Sequence, residues 1–339
     1  MKKNAFKFFV FGLAALFALA SCSKKVAIDD YGIYSDFDTA MDAAKKSGKK
    51  ILLFFTKIED GGLNETIVND VLHSSGYAET FGGEFETCQI DYSRERFSKK
   101  SESFDEARNE RDMKVAVIYG AETTPAVLVL TNKGYVITNI TYLPAKNVKE
   151  FSDIIETDRG TITEMENFLA ELDASKGLDR VRKIDELYEG TKANYRYQLR
   201  ALSDEVIKLD KKNESGLVGK HLLARASTKA MECYLRREPD KAVECYLEPL
   251  KSKFLNVEEK QRSYFAAAYI TGNASPSVEN SEKIINYLTM ARDLDPASQL
   301  AERCVFLLER QERILAGQKE TAAKKAAEEA EPSAESSAE

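Results

Sequence analysis

The sequence is poor in the residues that most often carry catalysis or bind metals. It contains no tryptophan, and its only histidines are His73 and His221. A histidine-based metal cluster or a Cys-His-Asp catalytic set is therefore poorly supplied. Five cysteines are present, but no two of them form a C-x-x-C pair. From these absences we predict neither a metal site nor a cofactor.

Positive charge is also in deficit. The chain has 49 Lys and Arg residues against 56 Asp and Glu residues, which gives a formal net charge of −7 at pH 7. Proteins that bind nucleic acid present clustered cations to the phosphates, and nothing in this sequence looks like such a surface. Nucleic acid is therefore not an expected partner.

An apolar run near the N-terminus resembles an export signal. Three lysines accompany the 13-residue run Phe8–Ala20, which is shorter than the roughly 20 residues that span a bilayer. The run ends in the letters LASC at positions 19–22, which resemble the lipobox of bacterial lipoproteins. This resemblance implies cleavage before Cys22 and attachment of acyl chains such as palmitate to that residue. An ordinary secretory signal that happens to contain a cysteine is the alternative.

The N-terminal pattern sets the expected location and the domain boundaries. We predict a signal peptide over 1–21, a lipidated tether over 22–35, and folded domains over 36–158 and 159–316. The folded part would lie outside the cytoplasm, held by lipid to the inner or the outer membrane of a bacterial cell envelope. Loss of three lysines with the signal would move the formal charge from −7 to about −10.

The remaining cysteines lie inside apolar, regular segments. They are Cys88, Cys233, Cys245 and Cys304. An even number of cysteines in an exported protein permits disulfides, but a free cysteine in such a segment behaves as a small buried hydrophobe. We favour buried thiols, and a Cys233–Cys245 bridge between neighbouring predicted helices is the alternative.

The first unit alternates helical and strand patterns. A helix over 36–48 has an aspartate as N-cap and ends in glycine, and the apolar strand 50–56 follows it. The charged stretch 93–112 is interpreted as a solvated insertion. The early alternation indicates parallel strand pairing, and a hairpin near the end indicates an antiparallel edge. Other strands are predicted at 85–91, 126–130 and 135–141, with helices at 64–73, before 120 and at 145–155.

Two parts of this unit resemble the thioredoxin superfamily. Residues 40–49 fit the pattern A-x-x-x-A-K-x-x-G-K, and the letters TTP at 123–125 precede an apolar strand. The resemblance implies an α/β thioredoxin-like domain with a mixed central sheet flanked by helices. It also implies a cis peptide before Pro125, which would leave the backbone of Thr124 free to meet an extended peptide.

The sequence departs from that family at the position of its redox motif. The loop between the first long strand and the next helix holds Glu59, Asp60, Gly61 and Gly62, with no cysteine, serine or tryptophan. Family members with redox activity carry two cysteines here, and a thiolate stabilised by the helix N-terminus is their nucleophile. We therefore expect a degenerate active-site loop, no dithiol chemistry and no catalytic residue. The two carboxylates are interpreted as solvated loop charge, because a cation site needs more oxygen ligands.

The second unit loses the strand pattern and repeats apolar residues at helical spacing. Segments around Lys211, Phe254 and Pro296 look equivalent, at intervals of 43 and 42 residues rather than the familiar 34. This pattern resembles tetratricopeptide repeats and predicts an all-α domain of helical hairpins. The tail 317–339 is rich in Ala, Glu and Ser and is predicted to be disordered beyond a frayed helix.

These features favour a non-catalytic, membrane-anchored lipoprotein that binds other envelope proteins or peptides. Each of the two modules is of a kind that binds polypeptide, and no catalytic set is assembled in the sequence. The alternative is an atypical thiol–disulfide oxidoreductase, isomerase or chaperone of the cell envelope that works through an unusual cysteine.

Overall fold

The structure is a computed structural model that describes residues 28–101, 104–141 and 143–330. The predicted signal peptide and residues 22–27 of the tether, with Cys22, lie outside these residues, as does the segment 331–339. The described residues divide into two compact units: those up to 115 together with 121–159, and 116–120 together with those from 160 to 330. Within the described ranges, no helix is long and apolar enough to cross a membrane.

The first unit is a mixed sheet with helices. Its elements in chain order are β1 (Ile33–Tyr34), α1 (Phe37–Ser47), β2 (Lys50–Thr56), a 3-10 turn (Ile58–Asp60), α2 (Gly62–Thr66) continued by a π-helical turn (Ile67–Leu72), α3 (Tyr77–Phe81), β3 (Phe85–Asp91), α4 (Arg94–Phe97), α5 (Glu106–Ile118), β4 (Ala126–Leu130), β5 (Val136–Ile140) and α6 (Val148–Thr157). The predicted mixed α/β unit is confirmed.

The sheet has the strand order β1-β3-β2-β4-β5. Strand β2 pairs in parallel with β3 and antiparallel with β4, and β4 pairs antiparallel with β5. Its central position explains its composition, because every side chain from Ile51 to Phe55 is fully buried between the two faces. This buried strand is the core of the first unit.

The start, the end and the buried face of helix α1 are explained by its own residues. The Asp36 carboxylate accepts a hydrogen bond from the Thr39 backbone N–H at 2.9 Å, and Gly48 ends the helix with φ at 77°. Phe37, Ala40 and Ala44 face the core. The predicted helix and its two ends are confirmed.

The charged stretch 93–112 keeps most of its charged side chains exposed, so the prediction of a solvated insertion is wrong only for its buried residues. It contains α4 and the first half of α5, and it buries the side chains of Arg96, Asn109 and Asp112. Arg96 and Asp112 form an ion pair with each other, and the Arg96 Nη1 also donates to the Asp91 carbonyl at 2.8 Å. Burial is tolerated here because the opposite charges and the carbonyl satisfy one another.

The second unit is all-helical within the described residues, as predicted. Its elements are α7 (Arg159–Ala174), α8 (Gly177–Gly190), a 3-10 segment (Ala193–Leu199), α9 (Arg200–Leu209), α10 (Val218–Leu235), α11 (Pro239–Leu247), a 3-10 turn (Glu248–Lys251), α12 (Val257–Gly272), α13 (Val278–Leu294) and α14 (Gln299–Ala330). From α8 onward each helix packs mainly against the next one in the chain. Their classification as tetratricopeptide-like repeats stays a prediction.

Helix α14 runs past the predicted end of the second domain. It extends to Ala330, so residues 317–330 are helical, and the disordered tail beyond a frayed helix stays a prediction. Ala, Lys and Glu are strong helix formers, and no proline occurs between Pro296 and Pro332. The helix is also tied to α13, because Ser281 Oγ donates to Gln318 Oε1 at 2.7 Å. These contacts carry the helix beyond Ala316.

Candidate functional site

The strongest candidate site lies at one edge of the sheet in the first unit. Phe55 of β2 pairs with Ala126 of β4 in antiparallel register, so the residues that follow β2 meet those that precede β4. This register brings the loop with Glu59, Asp60, Gly61 and Gly62 to the same edge as Thr124 and Pro125. The structure therefore joins the two site segments that the sequence singled out separately.

Hydrogen bonds within the first unit fix the loop. The backbone N–H of Lys57 donates to Oδ1 of the buried Asn64 at 2.8 Å, which anchors the loop to α2. The carboxylate of Asp60 pairs with Lys57 Nζ at 2.8 Å, and Glu59 Oε1 accepts from the backbone N–H of Arg94 at 2.5 Å. Both carboxylates are thus engaged by the protein. Among the described residues, no group of three or more His, Cys, Asp or Glu side chains is placed to hold a metal ion.

Two consecutive glycines give the loop its shape. Gly61 has φ at 62° and ψ at −160°, and Gly62 has φ at 54°. The first combination is accessible essentially only to glycine, so a side chain there would strain the backbone.

Apolar side chains flank this glycine pair and face solvent. Ile58 is 38% exposed and Leu63 is 39% exposed. Single exposed apolar residues are common on protein surfaces, but these two lie on either side of one short loop. Sequence reasoning did not single them out, because Ile58 and Leu63 are as apolar as the buried residues of β2. They give the edge of the sheet an apolar component.

The backbone at Thr124 has no hydrogen-bond partner in the part of the chain that the structure describes. The peptide bond between Thr124 and Pro125 is cis, and the Pro125 side chain is buried. Thr124 is half-buried and forms no hydrogen bond with any described residue. Because backbone N–H and C=O groups are strong hydrogen-bonding partners, an extended polypeptide can pair with them at such an edge.

The first unit has no reactive thiol at this site. Cys88 lies in β3 beside Leu53 and is fully buried. Burial raises the pKa of its thiol well above the ordinary value, and the nearby carboxylates of Asp112 and Asp36 add to that rise. A thiol held in its neutral form is a poor nucleophile. Cys88 therefore acts as part of the core.

The other described cysteines are free thiols of the second unit. Cys233 and Cys304 are buried, and Cys245 is half-buried. Cys233 in α10 and Cys245 in α11 are neighbours but do not form a bridge. Burial and the proximity of the Cys233 thiol raise the pKa of Cys245 to about 11, so its thiolate is scarce at neutral pH.

A Ser–His–Asp set occurs in the second unit, but it is closed to substrate. His221 Nδ1 lies 3.1 Å from Ser203 Oγ, and His221 Nε2 lies 3.3 Å from Asp185 Oδ1. Such a set can act as a catalytic triad only where the serine meets a substrate carbonyl. Ser203 and His221 are 1% and 0% exposed, and the Tyr188 ring packs against the imidazole at 5.3 Å between centroids. The arrangement is a buried polar network that joins α8, α9 and α10.

Comparisons with known proteins match parts of the chain. A family described as "Uncharacterised protein C-terminal domain" matches residues 217–311. No curated protein matches the chain. A solved structure described as "DsbH Oxidoreductase" is similar to part of it, with 15% sequence identity and a TM-score of 0.31. That similarity covers 37% of this chain and 86% of the oxidoreductase chain.

Proposed function

We propose that the protein is an exported, lipid-anchored binding protein whose thioredoxin-like first unit docks an extended polypeptide segment without catalysing thiol chemistry. The observation that carries this proposal is the Thr124 backbone, which has no hydrogen-bond partner among the described residues and lies beside the buried Pro125. An incoming strand would bond to this backbone, and its side chains would meet the exposed Ile58 and Leu63.

A binding role is favoured over redox catalysis by the composition of the same edge. The loop that would hold the nucleophile contains two glycines and two engaged carboxylates. The nearest thiol in the same sheet, Cys88, is buried and has a raised pKa. Transfer of a disulfide needs an accessible thiolate, which neither segment supplies.

Anchoring and interaction complete the proposal. The lipobox-like segment ending at Cys22 supports attachment to a membrane of a bacterial envelope. The helical second unit, as a tetratricopeptide-like array, would offer a further surface for polypeptide partners.

Metabolic labelling with radioactive palmitate checks the anchor: the wild-type chain should incorporate label, and Cys22→Ser should incorporate none. Label retained by Cys22→Ser would contradict the lipoprotein assignment.

Peptide binding is tested with a chain from residue 23 onward, which keeps all the described residues. Fluorescence anisotropy with a panel of unstructured peptides rich in apolar residues should show saturable binding. The double variant Ile58→Asp and Leu63→Asp should weaken binding at least tenfold, because charge replaces the apolar contacts at the edge.

A matched control uses an exposed apolar residue of the second unit. Val257 is 49% exposed, so Val257→Asp should leave peptide affinity unchanged. Equal loss in both variants, or no saturable binding, would argue against the docking edge. Reduction of insulin disulfides by the wild-type chain, lost in Cys88→Ala, would instead establish the oxidoreductase alternative.

A further inference from the structure

A cavity of about 410 Å³ opens within the second unit, and its lining includes no residue of the proposed docking edge. It is lined by α9, α10, α11 and the 3-10 turn Glu248–Lys251, together with residues that follow them. Sites for small ligands commonly have volumes of roughly 300–1,000 Å³, so this cavity is large enough for one.

The cavity has an apolar wall. Five side chains form it: Ile207, Val218, Leu222, Pro249 and Phe254. Val218 and Leu222 belong to a buried cluster that also includes Leu255, so this part of the wall is held by the core. Such a wall favours a ligand with an apolar body, since contact removes hydrocarbon surface from water.

Cations dominate the charged part of the lining. Four cations and one carboxylate contribute: Lys211, Arg225, Lys229, Lys251 and Glu248. The carboxylate of Glu248 is 4.0 Å from Lys229 Nζ, and Arg225 is 3.8 Å from Asp204, so both pairs are at the outer limit of contact. Lys211 and Lys251 have no ion-pair partner among the described residues. On a chain with a formal charge of −7, this is a local excess of positive charge.

We propose that this cavity binds a small anionic amphiphile, a molecule with one anionic head group and one apolar chain. The chain would lie against Leu222 and Phe254, and the head group would meet Lys211 and Lys251. Both parts of the ligand contribute. Burial of its apolar chain supplies affinity, and the two lysines select an anionic head group. The head can be a carboxylate or a phosphate monoester, because lysine ammonium groups bind either anion.

Cys245 provides an internal reporter for occupancy. It lines the cavity and is half-buried, whereas the other three described cysteines are buried. A ligand in the cavity would shield this thiol from a maleimide reagent. Protection of Cys245 therefore reports binding at this place and not elsewhere on the chain.

The test is calorimetric titration of the chain from residue 23 onward with probes below their micelle concentrations. Decanoate and decyl phosphate present the two head groups on a ten-carbon alkyl chain. Decanol has the same alkyl chain without a charge, and decylamine has it with a positive charge. Inorganic phosphate has the negative charge without the alkyl chain. We expect at least one of the two anionic amphiphiles to bind and to slow modification of Cys245, and their relative affinities identify the head group.

Variants locate the site. Lys211→Gln with Lys251→Gln should weaken binding about threefold to tenfold, since two exposed ionic contacts are lost. Lys208→Gln with Lys212→Gln is the matched control from the same chain segment, because neither lysine lines the cavity. Absence of binding by both anions, equal binding of decylamine, or equal effects in both double variants would overturn the proposal. Peptide binding at the docking edge is measured separately, so each proposal can fail alone.

Discussion

Arg96 donates a hydrogen bond from its guanidinium to the carboxylate of Asp112, and the two side chains are only 9% and 2% exposed. The pair links α4 to α5 across sixteen positions of the chain. The Asn109 amide extends the network by donating to the Arg96 carbonyl at 3.1 Å. Burial raises the pKa of Asp112 although Arg96 acts in the opposite direction. A segment rich in charge is thereby fixed to the sheet from its buried side.

Removal of one partner from this pair should destabilise the first unit strongly. In Asp112→Ala the Arg96 charge stays buried without its carboxylate, and such losses cost about 3–5 kcal/mol of unfolding free energy. Urea denaturation followed by circular dichroism measures the change. The control is Asp153→Ala, which breaks a pair with Lys149 whose side chains are 83% and 64% exposed, and we expect no measurable loss there. Similar losses in the two variants would contradict a structural role for the buried pair.

Thiol accessibility separates the binding role from the oxidoreductase alternative. In the native chain from residue 23 onward, Ellman's reagent should react slowly with Cys245 and hardly at all with the three buried cysteines. The slow rate follows from the Cys245 pKa of about 11, because the thiolate is the reacting form. Four thiols should react after denaturation. A thiol that reacts fast in the native chain would support the oxidoreductase alternative.

Gly219 is a position where the second unit has no room for a side chain. A Cβ at this residue would lie 2.6 Å from the Phe254 carbonyl oxygen and would also collide with the Glu259 carboxylate. That carboxylate accepts from the Asn256 backbone N–H at 2.8 Å as part of a capping box at the start of α12. Gly219→Ala should therefore cost about 1–3 kcal/mol of unfolding free energy, measured by urea denaturation.

The control for this substitution is Gly160→Ala in α7. A Cβ there has nothing within 4 Å, and alanine is the better helix former. We expect unchanged stability or a gain of about 0.5–1 kcal/mol. If Gly219→Ala behaved in the same way as Gly160→Ala, the close approach of α10 to α12 would be wrong.

Asp185 gives the second unit a defined dependence on pH. Burial alone would raise the pKa of this carboxyl, but the hydrogen bond from Lys220 Nζ at 3.0 Å and the nearby His221 imidazole hold it below its usual value. A carboxyl with a lowered folded-state pKa stabilises the fold above its unfolded pKa of about 4, and that contribution is lost as the pH falls through the folded-state pKa. The stability difference between wild type and Asp185→Asn should thus be large at pH 7 and smaller at about pH 2.

Urea denaturation at the two pH values provides the measurement for Asp185. The exposed residue Asp179 is the control, because its pair with Arg182 is formed by side chains that are 82% and 61% exposed. Asp179→Asn should give no comparable difference at either pH. A gap between wild type and Asp185→Asn that does not change with pH would contradict the ionic role of this carboxylate.

The sequence predicts those elements whose signals are local. Asp36 and Gly48 mark the ends of α1, and the unbroken apolar run 51–55 identifies the central strand. The sequence also singles out Thr124 and Pro125, since their motif is short and contiguous. The unpaired state of the Thr124 backbone depends on strand register, which no local pattern contains.

The features that the sequence did not predict depend on residues that lie far apart along the chain. Arg96 and Asp112 look like solvated charge until their partners are known. The cations of the cavity come from three separate segments, although Arg225 and Lys229 lie one turn apart on the helix that carries Val218 and Leu222. That mixed face of α10 is a signal that sequence reasoning can use.

The two units differ in how far apart along the chain their contacting residues are. In the second unit most helices from α8 onward lie against the next, so their contacts form between nearby residues. In the first unit β1 must find β3, and β2 must find β4, across long intervening segments. Closing such long loops is entropically costly and slows folding. We therefore expect the first unit to reach its native state more slowly than the helical second unit.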